Sequence, residues 1–380
     1  MDLVLSKEHE WIRDTVRDFA VREIAPRAAA YDASREFPRD NFRKCAALNL
    51  TGMMVAEAWG GGGLDTISYV IAIEELSRHC ASTGVVISVN NSLYCHPVEH
   101  FAGEEVKSRL LAPFARGEKI GCFALSEPGA GSDPAGMRTT AVRQGDEFVL
   151  HGSKVFVTNG VAADAAVVFA VTDPGKGHKG ISAFVVEKTT AGYGKGRQEM
   201  KLGITSSGSV EIRLEDCRVP ASHLLGAEGD GFRIAMQTLD GGRIGIAAQA
   251  VGIARGALEE STSYALQRHQ FGQPIGSFQA IQFMLADMAT EVDAARLLAY
   301  RAAWQKDRGE RFTQAASMAK LFASEVAMRA TTKGIQIFGG YGYMRDYPME
   351  RFFRDAKVTE IYEGTSEIQR LVIAQGLLRD

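Results

Sequence analysis

The chain has 380 residues, 46% hydrophobic and 23% charged, enough for two or three domains with ample core. A net charge of -3, with Lys and Arg spread along the sequence, excludes the basic excess that a nucleic-acid partner requires. No apolar run approaches the roughly 20 residues of a membrane helix, so no membrane insertion is expected, and the polar start Met1 to Glu10 lacks signal-peptide character.

From Ser6 to Tyr31 the residues Ile12, Val16, Phe19 and Val21 to Ile24 form one apolar stripe among Arg and Asp. This predicts an amphipathic helix with Ser6 as N-cap and Glu8 in its first turn. Pro26 inside the pattern predicts a kink or an early stop. Further helices are expected from Asn41 to Asn49, Thr66 to Arg78 and Glu104 to Gly117. Gly60 to Gly63 reads as a loop, and no strand precedes it, so it is no phosphate cradle.

Near Ile120 the pattern changes to short Val-, Phe- and Ile-rich runs: Phe148 to Leu150, Ala166 to Thr172, Ile181 to Glu187 and Val210 to Leu214. The last alternates apolar and charged, as a half-buried strand does. Strands without intervening helices predict an antiparallel barrel or sandwich. After Gly231 long helices return. Ile281, Leu285, Met288, Val292, Ala295 and Leu298 step by four and three, a similar run covers 312–338, and Gly339-Gly340 is a helix stop. The expected class is α+β: an N-terminal helical domain (1–119), a middle β domain (120–228) and a C-terminal four-helix bundle (229–380).

Several segments carry chemistry. Phe123-Ala124-Leu125-Ser126-Glu127-Pro128-Gly129-Ala130-Gly131-Ser132-Asp133 runs a strand into a loop whose amides can approach a ligand, or which is simply a turn. It is no dinucleotide fingerprint, because the third glycine is missing and Pro134 follows. Lys154 to Gly160 sets Phe156 and Thr158 at a strand end, a pairing suited to a flat heterocycle and equally at home on any amphipathic strand. Arg268 to Gly272 and Gln336 to Gly340 are polar, glycine-bearing breaks. Leu239 to Arg243 puts Asp and Arg on a glycine-weakened helix, as an ion pair or as a site lining. No metal is expected: His96 and His100 lack a third ligand, and the five cysteines form no C-x-x-C pair. That cysteine usage suits a reducing compartment, a bacterial cytoplasm or the mitochondrial matrix of a processed eukaryotic chain.

The most informative stretch is Ile361-Tyr362-Glu363-Gly364-Thr365-Ser366-Glu367-Ile368-Gln369-Arg370. Thr365 or Ser366 can cap a helix, and Glu367 suits its positive end. Glu363 beside Ile361 and Tyr362 would lose solvation on burial, which raises a carboxylate toward the range of a general base.

Together these segments resemble the acyl-CoA dehydrogenase family over essentially the whole chain. The likeness is carried by FALSEPGAGSD (123–133), VTNG (157–160), LDGGRIGIAAQAVGIA (239–254), RHQFGQPIGSFQAIQF (268–283), QIFGGYGY (336–343) and IYEGTSEIQRLVIAQGLL (361–378). It is strongest toward short-chain (butyryl-CoA) and short/branched-chain members. The resemblance implies FAD, contacted by Phe123, Ala124, Leu125, Ser126, Gly131, Ser132, Phe156, Val157 and Thr158, with Phe156 where many relatives carry Trp. It implies that Arg268, Phe271, Gln279 and Gln336, Ile337, Phe338, Gly339 and Gly340 reach the FAD of a neighbouring subunit in a homotetramer, a dimer of dimers. Thr365, Ser366 and Glu367 would approach the pyrophosphate, and Ser132 with Asp240, Gly241, Gly242 and Arg243 the CoA arm.

The implied reaction is α,β-dehydrogenation of a short acyl-CoA to its trans-2-enoyl thioester. Glu363 takes the α-proton, and electron-transfer flavoprotein receives the electrons. Some branches place the base just before the arginine, which here is Gly242 and cannot act. The rival readings are an acyl-CoA oxidase using dioxygen, typically a longer chain, and a non-catalytic CoA-binding protein on the same fold.

Overall fold

The computed structural model describes residues 5–378. Ser6 caps the first helix, Lys7–Phe19, by accepting from the His9 N–H at 3.2 Å. The helix then passes through a π turn, Ala20–Ile24, and a 3-10 turn, Ala25–Arg27, before Ala28–Ser34. Pro26, which has no N–H to donate, sits at that irregularity. The stretch Glu104 to Gly117 breaks at Leu111 into Glu104–Leu110 and Ala112–Ala115, the latter with Pro113 in its first turn.

Residues 81–101 carried no expected element, yet they form Ala81–Ser88, a π-helical turn Val89–Cys95 and His96–Phe101. Every residue from Ala81 to Cys95 is buried. A helix packed on all sides has no polar face, so the amphipathic period that reveals a surface helix is absent.

Among the described residues, eight strands make one sheet: β1 Gly121–Ala124, β2 Thr140–Gln144, β3 Glu147–Val157, β4 Ala165–Val171, β5 Ile181–Glu187, β6 Tyr193–Gln198, β7 Val210–Pro220 and β8 Leu224–Leu225. The order is β6-β7-β3-β2-β4-β5-β8, with β1 beside β4. The sheet is mixed rather than wholly antiparallel, because β1 runs parallel to β4 from Gly121↔Ala165 to Ala124↔Val168, and β2 meets β4 parallel at Thr140↔Val171. The cause is local. β1 leaves the helical unit where β4 begins, with the Asp164 N–H donating to Ile120 O at 2.7 Å and the Ile120 N–H donating to Asp164 Oδ2 at 2.9 Å. Both strands therefore start at the same end. β3 slips register against β7 between Lys154 and Val157, a bulge that holds Phe156 at φ 59° and turns its ring outward.

The C-terminal helices are Gly231–Gln267, Gln279–Asp307 and Thr313–Phe338, with Met349–Thr359 and Ser366–Leu377 packed on the third. Gly339 ends the third helix at φ 59°. Helix Thr66–Ser77 packs against the first two and ties the N-terminal helices to the bundle. Its buried Glu74 accepts from Arg255 at 3.0 Å and Arg296 at 2.9 Å, and Glu75 from Arg17 at 2.9 Å and Arg255 at 2.8 Å. Each buried carboxylate thus has its cations, as burial of charge demands. Among the described residues no helix is long and apolar enough to cross a membrane.

Candidate active site

Glu363 lies in the turn between helices Met349–Thr359 and Ser366–Leu377. The turn is left-handed at two successive residues, Glu363 (φ 52°) and Gly364 (φ 95°). The first is uncommon for a residue with a Cβ and is held by its surroundings. Thr365 caps the following helix by accepting from the Ile368 N–H at 3.4 Å, and Glu367 lies in its first turn. Tyr362 donates through its hydroxyl to Gln249 Oε1, and Gln249 donates to Ala81 O at 2.9 Å. One side of the turn is thereby fixed to the core.

The Glu363 side chain points at helix Gly231–Gln267. A Cβ built on Gly242 would collide with Glu363 Oε2 and lie 2.8 Å from Leu93 Cδ2. Oε2 is buried and unpartnered. Burial pushes the carboxyl up to about 7, while the charges of Lys320 and Arg243 oppose the shift. Arg243 is itself buried, donates to Asp240 Oδ1 at 2.6 Å, and keeps Nε unpartnered; Thr313 donates to Asp240 Oδ2 at 2.6 Å. The Glu363 N–H finds no acceptor among the described residues. A carboxyl poised near neutrality, a bare amide on the same residue and a buried cation next to Gly242 can remove a proton and stabilise the oxyanion left behind.

A second group assembles on the sheet. The Val155 N–H donates to Ser126 O at 2.9 Å, which lays the 123–133 loop along the end of β3 beside Phe156, Val157 and Thr158. Ala124 and Val157 are buried, Phe123, Leu125, Ser126 and Thr158 half-buried, and Gly131 and Ser132 exposed; no hydrogen bond joins Ser132 to Asp240 or Arg243. The Phe156 ring is 70% exposed. A fully buried Lys154 holds the loop, donating to Glu127 Oε1 at 2.7 Å and Leu125 O at 3.2 Å. Glu127 also accepts from the Arg138 N–H at 2.6 Å and the Thr139 N–H at 3.0 Å.

The third group lies elsewhere. Arg268, Ile337, Phe338, Gly339 and Gly340 line an open cleft of about 470 Å³, with the Arg268 guanidinium 5.5 Å from the Tyr341 ring centre. Phe271, 92% exposed, tips the hairpin His269–Gln270 and Gln273–Pro274, and Gln279 and Gln336 are exposed at helix ends. Sixteen residues along one helix separate Gln336 from Lys320, the neighbour of Glu363, a distance of about 24 Å.

Three domain models of one family account for nearly the whole chain: residues 6–118, 122–217 and 229–378 match the N-terminal, middle and C-terminal domains of acyl-CoA dehydrogenase. The chain belongs to the acyl-CoA dehydrogenase family. It is 49% identical over 379 residues to the short-chain specific acyl-CoA dehydrogenase of Clostridium acetobutylicum, covering 100% of both. It is similar to butyryl-CoA dehydrogenase from Megasphaera elsdenii, at TM-score 0.98, 45% identity and 100% coverage of both chains. It is also similar to a chain from the structure of the electron transferring flavoprotein of Acidaminococcus fermentans, at TM-score 0.99, 49% identity and the same coverage.

Within this acyl-CoA dehydrogenase, motif reading overlooked Lys154 and Glu127 as the brace of the 123–133 loop, and Lys320 and Gln369 behind Glu363. Lys320 left a trace: it falls on the stripe of Ala316, Ala319, Ala323 and Ala327, where a lysine has no water to reach.

Proposed function

We propose that the chain catalyses FAD-dependent α,β-dehydrogenation of a short-chain acyl-CoA, with Glu363 as the base and electron-transferring flavoprotein as redox partner. The observation that carries the reading is the unpartnered Glu363 carboxylate, raised to about 7 and pressed against Gly242. Its own N–H serves the thioester oxygen as the α-proton leaves, so base and oxyanion donor belong to one residue.

The residues suit a flavin dinucleotide. The exposed Phe156 ring and half-buried Thr158 offer a flat, partly polar face beside the 123–133 loop. A Cβ on Gly129, Gly131 or Gly340 would meet nothing within 4 Å, and none of the three has a positive φ, so neither packing nor backbone conformation accounts for these glycines. Ser366 keeps a buried, unpartnered hydroxyl at a helix N-terminus, where a pyrophosphate is favoured. FAD, when bound, supplies the acceptor for the β-hydride. Arg268, Phe271, Gln279 and Gln336 to Gly340 serve a neighbouring subunit's cofactor in a homotetramer, a role supported by their separation from this chain's own Glu363. Ser132 and Asp240 to Arg243 take the CoA arm. Domain limits at 119/120 and 228/229 accompany this division of labour.

Anaerobic bleaching of the bound flavin by butyryl-CoA tests the reading. Glu363→Gln should retain flavin and ligand binding and lose bleaching by at least about a thousandfold. Near wild-type bleaching by that variant would remove Glu363 from the mechanism.

A further inference from the structure

The carbonyls of Glu363 and Gly364 are both held from behind. Lys320, with no exposed surface, donates to Gly364 O at 2.7 Å from about two turns into helix Thr313–Phe338. Gln369, equally buried, donates from Nε2 to Glu363 O at 3.2 Å and Gly364 O at 2.9 Å. Packing alone does not require a charge at position 320. The surrounding stripe is alanine, a methionine has similar length, and an ammonium without a carboxylate contact is costly to bury.

We propose that Lys320 and Gln369 are positioning residues for the base. Together they lock the left-handed Glu363–Gly364 turn, which aims the carboxylate at Gly242 and leaves the Glu363 N–H free for the substrate oxygen. The inference rests on the reading of Glu363 as base. The two residues act differently. Gln369 contributes geometry alone. Lys320 contributes geometry and, below the value of about 8 to which burial lowers its ammonium, a positive charge, one of two cations that oppose the rise of the Glu363 carboxyl, Arg243 being the other.

The charged and titratable groups around the carboxyl come from every packed element. They are Lys320 from helix Thr313–Phe338, Arg243 from Gly231–Gln267 with its partner Asp240, and Tyr69 from Thr66–Ser77. Tyr362 precedes it in the turn, while Glu360 and Glu367 flank the turn and act on Lys320. Removing Lys320 therefore leaves Arg243, already engaged by Asp240, as the remaining cation acting on Glu363.

The test is stopped-flow flavin bleaching of the holoenzyme by butyryl-CoA, over about two pH units on either side of neutrality. Lys320→Met should cut the limiting rate at least about tenfold, change the half-saturating concentration less than about twofold, and move the pH midpoint upward. Gln369→Leu should slow the reaction and leave the midpoint in place. Lys320→Arg, which keeps a cation and a donor, should keep the midpoint and recover most of the rate. A purely structural lysine predicts the opposite order, because the bulkier Arg would disturb the helix more than Met. If Lys320→Met fails to fold, Lys320→Arg and Gln369→Leu carry the comparison. Wild-type rates and midpoints in the folded Lys320 and Gln369 variants, with Glu363→Gln inactive, would overturn the positioning role alone. An active Glu363→Gln would instead overturn the reading of the base.

Discussion

Glu363 and Gly242 share one volume: the carboxylate oxygen occupies the space into which a Cβ on residue 242 would project. The glycine is therefore a condition of the glutamate's placement, because a Cβ at 242 would force the carboxylate to move. Gly242→Ala should displace both the carboxylate and the Leu93 side chain and reduce butyryl-CoA bleaching at least tenfold, about 1.4 kcal/mol of barrier. Flavin content should be unchanged. An alanine variant that bleaches at the wild-type rate would mean that the carboxylate has other productive positions.

The raised Glu363 carboxyl makes a prediction about pH with two signs. Catalysis needs the ionised form, so the bleaching rate should climb with pH around a midpoint near 7. Stability should run the other way. Between the ordinary carboxyl value and about 7 the folded chain binds the extra proton, so this group makes folding less favourable as pH rises through that window, and the loss levels off above it. Glu363→Gln has no such proton. It should melt above wild type at pH 8, with the gap closing as pH falls below 4.5, where the carboxyl is protonated in both states. A gap that does not vary with pH would contradict the burial argument.

Glu127 concentrates support for the 123–133 loop on one buried carboxylate, which accepts from Lys154 and from two backbone N–H groups. Glu127→Ala strands a fully buried ammonium, a change that costs about 3–5 kcal/mol when one partner of such a pair is removed. Lower melting temperature together with loss of flavin on gel filtration is the expected result. Loss of stability with full flavin retention would detach the brace from cofactor binding.

What the sequence disclosed divides along physical lines. Helices with one wet face, such as Lys7–Phe19 and Gln279–Asp307, announced themselves by period, and β7 by alternation. The stretch Ala81–Ser88 did not, because uniform burial erases the period. The parallel run of β1 beside β4 was illegible because it depends on where a helical unit delivers the chain, a relation across 43 residues between Cys122 and Ala165. Glu363 stood out through its apolar neighbours and its motif. Its proximity to Gly242 links residues far apart in the chain, and Lys320 and Gln369 act through carbonyls that leave no mark on a motif.

Arg268 and Glu363 belong to different ends of the C-terminal bundle. Lys320 touches the Glu363 turn, whereas Arg268 lies with Gly339, Gly340 and Tyr341 beyond the far end of the same helix. If both residues serve flavin sites, they serve different ones in a given chain, and the site shared across subunits can be tested by complementation. Glu363→Gln and Arg268→Ala should each be inactive, the second through weakened flavin binding. In a mixed dimer, one site combines an intact Glu363 with an intact Arg268 from the other chain, while the second site has neither. Random association of equal amounts gives half mixed dimers with one working site of two, so about a quarter of wild-type activity should return on co-expression. If both residues instead served one site within a single chain, every site in the mixture would carry one lesion and nothing would be recovered. Activity of the co-expressed pair against each variant alone therefore decides whether Arg268 works in trans.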